Sequence, residues 1–167
     1  AVQEIIKKGF KPEEITEAYY RKGYRVLALT DHDYLDDETG HHRDVFSYPE
    51  KMHGILEEPS MLVLIGSELS QGHHMNSLFI THRHIFESEQ EGLLAIQEGQ
   101  GLAFFNHPGR YRLPASWYVN LYLQYDCLFA LEVFNRKDRY PHDRQLWDAI
   151  LYHLMPDRPV WAVANDD

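Results

Sequence analysis

The sequence predicts an α/β fold on a parallel sheet, most of a βα barrel that is incomplete at both ends. Three observations carry this. Short apolar runs recur at 24–29, 61–65, 78–80, 101–105, 128–131 and 160–163, that at 61–65 unbroken, as in strands buried on both faces. Amphipathic helices alternate with them, as parallel crossovers require. Each run ends in a polar cluster, and in such folds the carboxyl ends of the strands open together on the face where active sites form.

The first helix is expected over 12–22. Pro12 suits a first turn that needs no N–H, Glu13 and Glu14 complement the positive end, Arg21 and Lys22 the negative end, and Gly23 stops it. Ile15, Ala18 and Tyr19 form its apolar face. The strand at 24–29 runs into Thr30-Asp31-His32-Asp33. Residues 36–59 are polar and irregular and read as loop with at most a short helical turn. The strand at 61–65 ends in Gly66-Ser67-Glu68, and that at 78–80 in Thr81-His82-Arg83-His84. Ser88 and Glu91 form a capping box before a helix that carries Leu93, Leu94 and Ile96. The strand at 101–105 ends in Asn106-His107-Pro108, and that at 128–131 in Glu132-Val133-Phe134-Asn135. A helix over 141–154 buries Leu146, Trp147, Ile150, Leu151 and Leu154, and Pro156 closes it. The last strand, 160–163, leads to Asn165-Asp166-Asp167.

Composition narrows the class. A chain of 167 residues is expected to form one domain over 1–167 with a core that needs no staple. Apolar residues at 44% and aromatics at 13% exclude a disordered chain, because there is apolar area to offset ordering entropy. No run approaches the ~20 apolar residues of a membrane span. Cys127 is the single cysteine, which excludes an intrachain disulfide or a thiolate cluster. With no signal-peptide pattern, it points to the cytoplasm. The net charge of −10 repels phosphate backbones and disfavours long nucleic acid as a partner. A first residue of Ala1 suggests a piece of a longer chain.

The groups at the strand ends are Asp31, His32, Glu68, His73, His74, His82, His84, His107, Glu132, Asp166 and Asp167. Imidazoles and carboxylates without thiolate suit Zn²⁺, Mn²⁺ or Fe. One such His is ordinarily just hydrogen-bonded, and Glu132 equally suits an Arg or Lys partner. Several converging from separate strands on one face argue for a metal. His41, His42, His53 and His142 read as solvated, and His153 as a partly charged imidazole in the last turn of a helix, where the negative dipole end favours it. No G-x-S-x-G elbow, phosphate loop or dinucleotide fingerprint occurs.

In this order the motifs Thr30-Asp31-His32-Asp33, Gly66-Ser67-Glu68, Asn106-His107-Pro108, Glu132-Val133-Phe134-Asn135 and Asn165-Asp166-Asp167 resemble the PHP (polymerase and histidinol phosphatase) family. The resemblance runs from about Lys11 to Asp167. It implies a distorted (β/α)7 TIM-like barrel, two or three divalent ions, and phosphoester hydrolysis. It implies His32 as a ligand of an outer ion, Glu68 as a bridging carboxylate, and His107 as a ligand of the neighbouring ion. Asp167 would be the Asp of a terminal Asp-x-His. The family's His after the glutamate matches His74 best, with His73 an open alternative register. The chain departs from the family at its start, where Ile5-Ile6-Lys7-Lys8-Gly9 stands in place of His-x-His and Ser-Asp-Gly. Absent flanking segments are the expected reason.

The expected function is therefore a metal-dependent phosphoesterase acting on a small phosphorylated substrate. Two ions ~3.5–4 Å apart would clamp the phosphoryl group and lower the pKa of a water, whose hydroxide attacks phosphorus. Asp31 faces away from His32 on an extended strand and would orient a ligand. Glu132 and Asn135 would orient water or substrate. The rival readings are a metal-dependent hydrolase of C–N or ester bonds, and a degenerate barrel that binds metal or a partner without turnover.

Overall fold

The computed structural model describes residues 12–32, 54–57, 60–80 and 86–165. In its first half lie α1 (Pro12–Arg21), β1 (Val26–His32), β2 (Gly54–Leu56), β3 (Met61–Leu69) and β4 (Met75–Leu78). The second half holds α2 (Glu89–Glu98), β5 (Leu102–Phe105), a 3₁₀ turn (Pro108–Arg110) and α3 (Ala115–Gln124). It closes with β6 (Leu128–Asn135), α4 (Asp143–Leu154) and β7 (Trp161–Asn165).

The sheet runs β1-β3-β4-β5-β6-β7, with β2 pairing β3. It is mixed, which corrects the expectation of a parallel sheet. β1 pairs β3 in parallel, and β5, β6 and β7 are parallel to one another, but β4 is antiparallel to both neighbours. The cause is connection length. Only residues 70–74 join β3 to β4, and a parallel return needs a crossover of roughly a dozen residues or more. β4 therefore begins on the face where β1, β3, β5 and β6 end. His73 and His74, just before it, fall on that face. Leu78, at its far end, pairs with Leu102 at the start of β5, so the chain leaves β4 on the opposite side. His82 and His84, expected beside the other strand-end groups, follow that end and lie outside the described residues.

Local chemistry explains most elements and corrects several. In α1, Ile15 and Thr16 are buried while Ala18 is exposed, so the inward stripe is rotated by about one residue from the expected one. Ser88 caps α2 by accepting the Glu91 N–H at 3.2 Å, but the Glu91 carboxylate takes the Glu87 N–H at 2.8 Å, not that of Ser88. Gly92, Leu93 and Ile96 of α2 are buried and Leu94 is exposed. α3 was not expected. Its buried residues Tyr118, Leu121 and Tyr122 have helical spacing, but Pro114 at its N-cap makes no side-chain cap bond and neither end carries a complementary charge. β2 lies in the stretch expected to be loop.

The main core joins Leu93 and Ile96 of α2, Phe105 of β5, Tyr118 of α3, Leu131 of β6 and Ile150 of α4. Each fully buried aliphatic or aromatic side chain contributes ~1.5–3 kcal/mol. One cavity of ≈ 440 Å³ is lined by Val26 and Ala28 of β1 and by Ala164 and Asn165 of β7. Both edge strands can face one cavity only if the sheet curls. Among the described residues the fold is an α/β half barrel with four α-helices.

Candidate metal centre

Strand register builds the centre. His32 of β1 lies opposite Glu68 of β3, and Glu68 opposite Asn76 of β4. Directly opposed residues share a face of the sheet, so the three form a row at the barrel mouth. The turn before β4 adds His74, whose Nδ1 is 2.9 Å from Glu68 Oε1. Glu68 Oε2 is 3.6 Å from His32 Nδ1. The carboxylate thus stands between two imidazoles, with one oxygen toward each. One ligand atom from each of His32, Glu68 and His74 lies within 4.8 Å of the others.

Hydrogen bonding assigns the ring protons. The Ser70 hydroxyl donates to the Glu68 carbonyl at 3.2 Å, so its oxygen is left to accept from His32 Nδ1. A carboxylate can only accept, so His74 Nδ1 also carries a proton. In the neutral rings both assignments leave the lone pair on Nε2, the form that can bind a metal. Burial alone would push the Glu68 carboxyl up. The hydrogen bond from His74, the charges of His32 and His74, and a hydrogen bond with Asn106 outweigh it and hold the group below the usual carboxylate range.

His107 sits beside this group, its ring centroid 5.0 Å from that of His74. Its backbone is left-handed at φ +31°. Its N–H donates to Glu132 Oε2, which is 3.5 Å from its Nδ1. Its Nε2 is buried and has no hydrogen-bond partner. Glu132 is buried too, and its other oxygen accepts from Asn135 Nδ2 at 3.2 Å. Glu132 is therefore occupied with His107 and Asn135, with no Arg or Lys beside it among the described residues.

His73 and His74 have different surroundings. His73 turns to Glu89, whose Oε1 accepts the His73 N–H at 3.0 Å and lies 2.6 Å from Nδ1. Its ring packs between Tyr111 and Trp117, at centroid distances of 4.2 and 4.6 Å. At Gly72 the backbone has φ +103°, and a Cβ would come within 2.8 Å of Glu89 Oε1, so this turn needs glycine. His74 is fixed through its backbone. Its N–H donates to the Tyr111 hydroxyl at 2.9 Å, and its carbonyl accepts the Asn106 N–H at 2.9 Å.

The other expected residues fall as follows. Asp31 pairs through its backbone with Ser67, and its side chain lies outside the described residues. So do Asp166 and Asp167, and His41, His42 and His53. His142 is exposed, with Nδ1 3.2 Å from Gln145 Oε1. Glu89, Tyr111 and Asp143 are not singled out by the sequence. Asp143 is buried at the start of α4 and accepts the Gly109 N–H at 2.6 Å, which ties down the loop after His107. Burial pushes its carboxyl up to about 6; the Gly109 hydrogen bond opposes this and the Glu132 charge adds to it.

A borderline divalent ion fits this donor set. The set combines imidazole nitrogens with one ionised carboxylate, and the unpartnered His107 Nε2 is a buried polar atom in need of a partner. His32, Glu68 and His74 could hold such an ion. Fold and site together define an α/β half-barrel domain with a candidate metal centre at its mouth. In fold it is similar to a two-domain protein from Bacteroides vulgatus that contains a predicted PHP-like metal-dependent phosphoesterase. The two share 21% identity with a TM-score of 0.57, over 78% of this chain and 41% of that one. At that identity the likeness is one of fold, and this chain spans less than half of the other's length. No protein-family model and no curated protein matches the chain.

Proposed function

We propose that the protein is a metal-dependent phosphoesterase acting on a small phosphorylated substrate. The supporting observation is the placement of an ionised Glu68 between His32 and His74, with the orphaned Nε2 of His107 beside them. In this reading His32, Glu68, His74 and His107 hold two or three ions of Zn, Mn or Fe, and Glu68 is shared between two of them. Asp167 is the further expected ligand. Bound ions would supply positive charge for the phosphoryl oxygens and lower the pKa of a water.

The chain's own groups prepare the place. Glu68 needs no deprotonation at neutral pH, since its neighbours already hold the carboxylate form. Glu132 grips the His107 backbone and faces Nδ1, which fixes the ring with Nε2 as its remaining donor atom. Glu132 is thus a positioning residue. Asn135 steadies it and is among the residues that line the cavity. A cavity of ≈ 440 Å³ is of small-molecule size. In this reading Asp31 would orient a ligand. A cytoplasmic location goes with this reading, supported by the single cysteine, which is buried and free.

The test is hydrolysis of p-nitrophenyl phosphate by the full chain with added Mn²⁺ or Zn²⁺, with p-nitrophenyl acetate and an anilide assayed in parallel. Phosphate release that a chelator stops and the metal restores is the expected result. Activity confined to the ester or the anilide, or metal uptake without any turnover, refutes the reading.

A further inference from the structure

A second cavity, of ≈ 780 Å³, lies behind the His107 loop and shares no lining residue with the cavity that holds Glu68 and His107. Pro108 and Gly109 form one wall, and Tyr140 and Pro141 another. Three arginines, Arg110, Arg112 and Arg139, line it, and no carboxylate does. In a chain of net charge −10 such a cluster runs against the average surface.

The nearby acids are committed elsewhere. Asp138 pairs with Arg144 through two bonds of 2.7 and 3.0 Å. Asp143 is buried against the Gly109 N–H. Arg110 and Arg139 lie over the rings of Tyr111 and Tyr140, at 5.6 and 5.2 Å from the centroids. Such a cation–π contact leaves the guanidinium N–H groups for an acceptor, and all three arginines are exposed. None of the three forms an ion pair with a described carboxylate.

The backbone carries strain at the same place. Arg112, Lys137 and Asp138 are non-glycine residues with φ of +56°, +58° and +59°. Positions like these cost on the order of 1–3 kcal/mol each and gather at ligand clamps. Of these only Arg112 lines the cavity; Lys137 and Asp138 form the turn that leads into Arg139. The three arginines repel one another, and a bound anion with several negative groups would relieve that repulsion.

We propose that this arginine-lined cavity is a binding site for a small organic polyanion bearing phosphate or carboxylate groups, separate from the metal centre. Guanidinium forks donate to either group in bidentate fashion, so the shared chemistry is the planar or tetrahedral oxyanion.

The test is calorimetric titration of the full chain, stripped of metal with a chelator that is then removed by dialysis, at low ionic strength. Inorganic pyrophosphate and citrate are the two probes. Without metal the His/Glu cluster has no cation to attract them, so the outcome is independent of phosphoesterase activity. One equivalent of at least one probe should bind, and its preference over the other tells a phosphate from a carboxylate ligand. Arg112→Gln with Arg139→Gln should weaken binding about tenfold or more, while Arg21→Gln, on α1, should leave it unchanged. If the double variant does not fold, Arg139→Gln alone should still weaken binding severalfold. The proposal is overturned if neither probe binds at millimolar concentration, or if the folded arginine variants bind as well as the parent.

Discussion

Glu68→Gln separates a bridging ligand from an ordinary strand-end carboxylate. The substitution keeps the volume and one acceptor oxygen, which can still take the His74 Nδ1–H now found at 2.9 Å. It replaces the other oxygen, 3.6 Å from His32 Nδ1, with an NH₂ group. Because that Nδ1 carries a proton, the change sets donor against donor in a site where Glu68 is only 7% exposed. A buried donor left unsatisfied costs ~1–3 kcal/mol, so the metal-free chain should lose about that much stability and remain folded. The effect on metal should be larger in kind. Removing a hydrogen-bond partner of a ligand costs ~10–100-fold in affinity, and removing the ligand's own charge should cost more. Elemental analysis should find about one ion fewer per chain, and phosphate release should be lost, with circular dichroism unchanged. An exposed ion pair is worth only ~0–1 kcal/mol and would show no change in metal content. Unchanged stoichiometry with near-normal turnover refutes the bridging role.

Three further outcomes are expected. His107→Ala should abolish phosphate release while His142→Ala, at an exposed position beside Gln145, should keep it within about twofold in the same assay. Tyr111→Phe removes the acceptor of the His74 N–H and should lower stability by ~1–2 kcal/mol in urea unfolding and metal affinity about tenfold, with the ring packing on His73 kept. Asp143 has its carboxyl pushed up to about 6 from 3.8, so between those pH values the folded chain binds more protons than the unfolded one, and stability falls as pH rises. Partial screening limits this to ~1–2 kcal/mol. Glu68, held low, works in the opposite direction, so the readout is the difference: urea unfolding at pH 4 and pH 7 should show the parent losing stability relative to Asp143→Asn as pH rises, and an identical pH dependence in both would refute it.

The runs at 61–65, 101–105 and 128–131 were legible as strands because burial on both faces leaves an uninterrupted apolar signature. Direction was not. Placing a strand at 78–80 hid the true start at Met75 and with it the five-residue turn that makes a parallel return impossible. α3 stayed hidden because aromatic and β-branched residues in its sequence suit a strand as well, and its ends carry no capping or charge signal. Of the centre, Glu68, His32 and His107 stood out as ligand types after strands. Two adjacent imidazoles look alike in sequence, and only their partners, Glu89 for His73 and Glu68 for His74, tell them apart. Glu89, Tyr111 and Asp143 act on the centre across space, from elements whose packing no local pattern encodes.

The reversal of β4 also affects the order in which the centre can assemble. Glu68 and His74 are six positions apart within one hairpin, whereas His32 meets Ser70 across 38 positions. Closing the shorter loop costs less chain entropy, and hairpins form in ~1–10 μs, before contacts of long sequence separation. The β3–β4 hairpin therefore carries a carboxylate, an imidazole and the Ser70 hydroxyl as a preassembled half-site. On that ground β1 and the His107 loop are expected to join it afterwards, and a metal present during folding would meet the residues of the hairpin first.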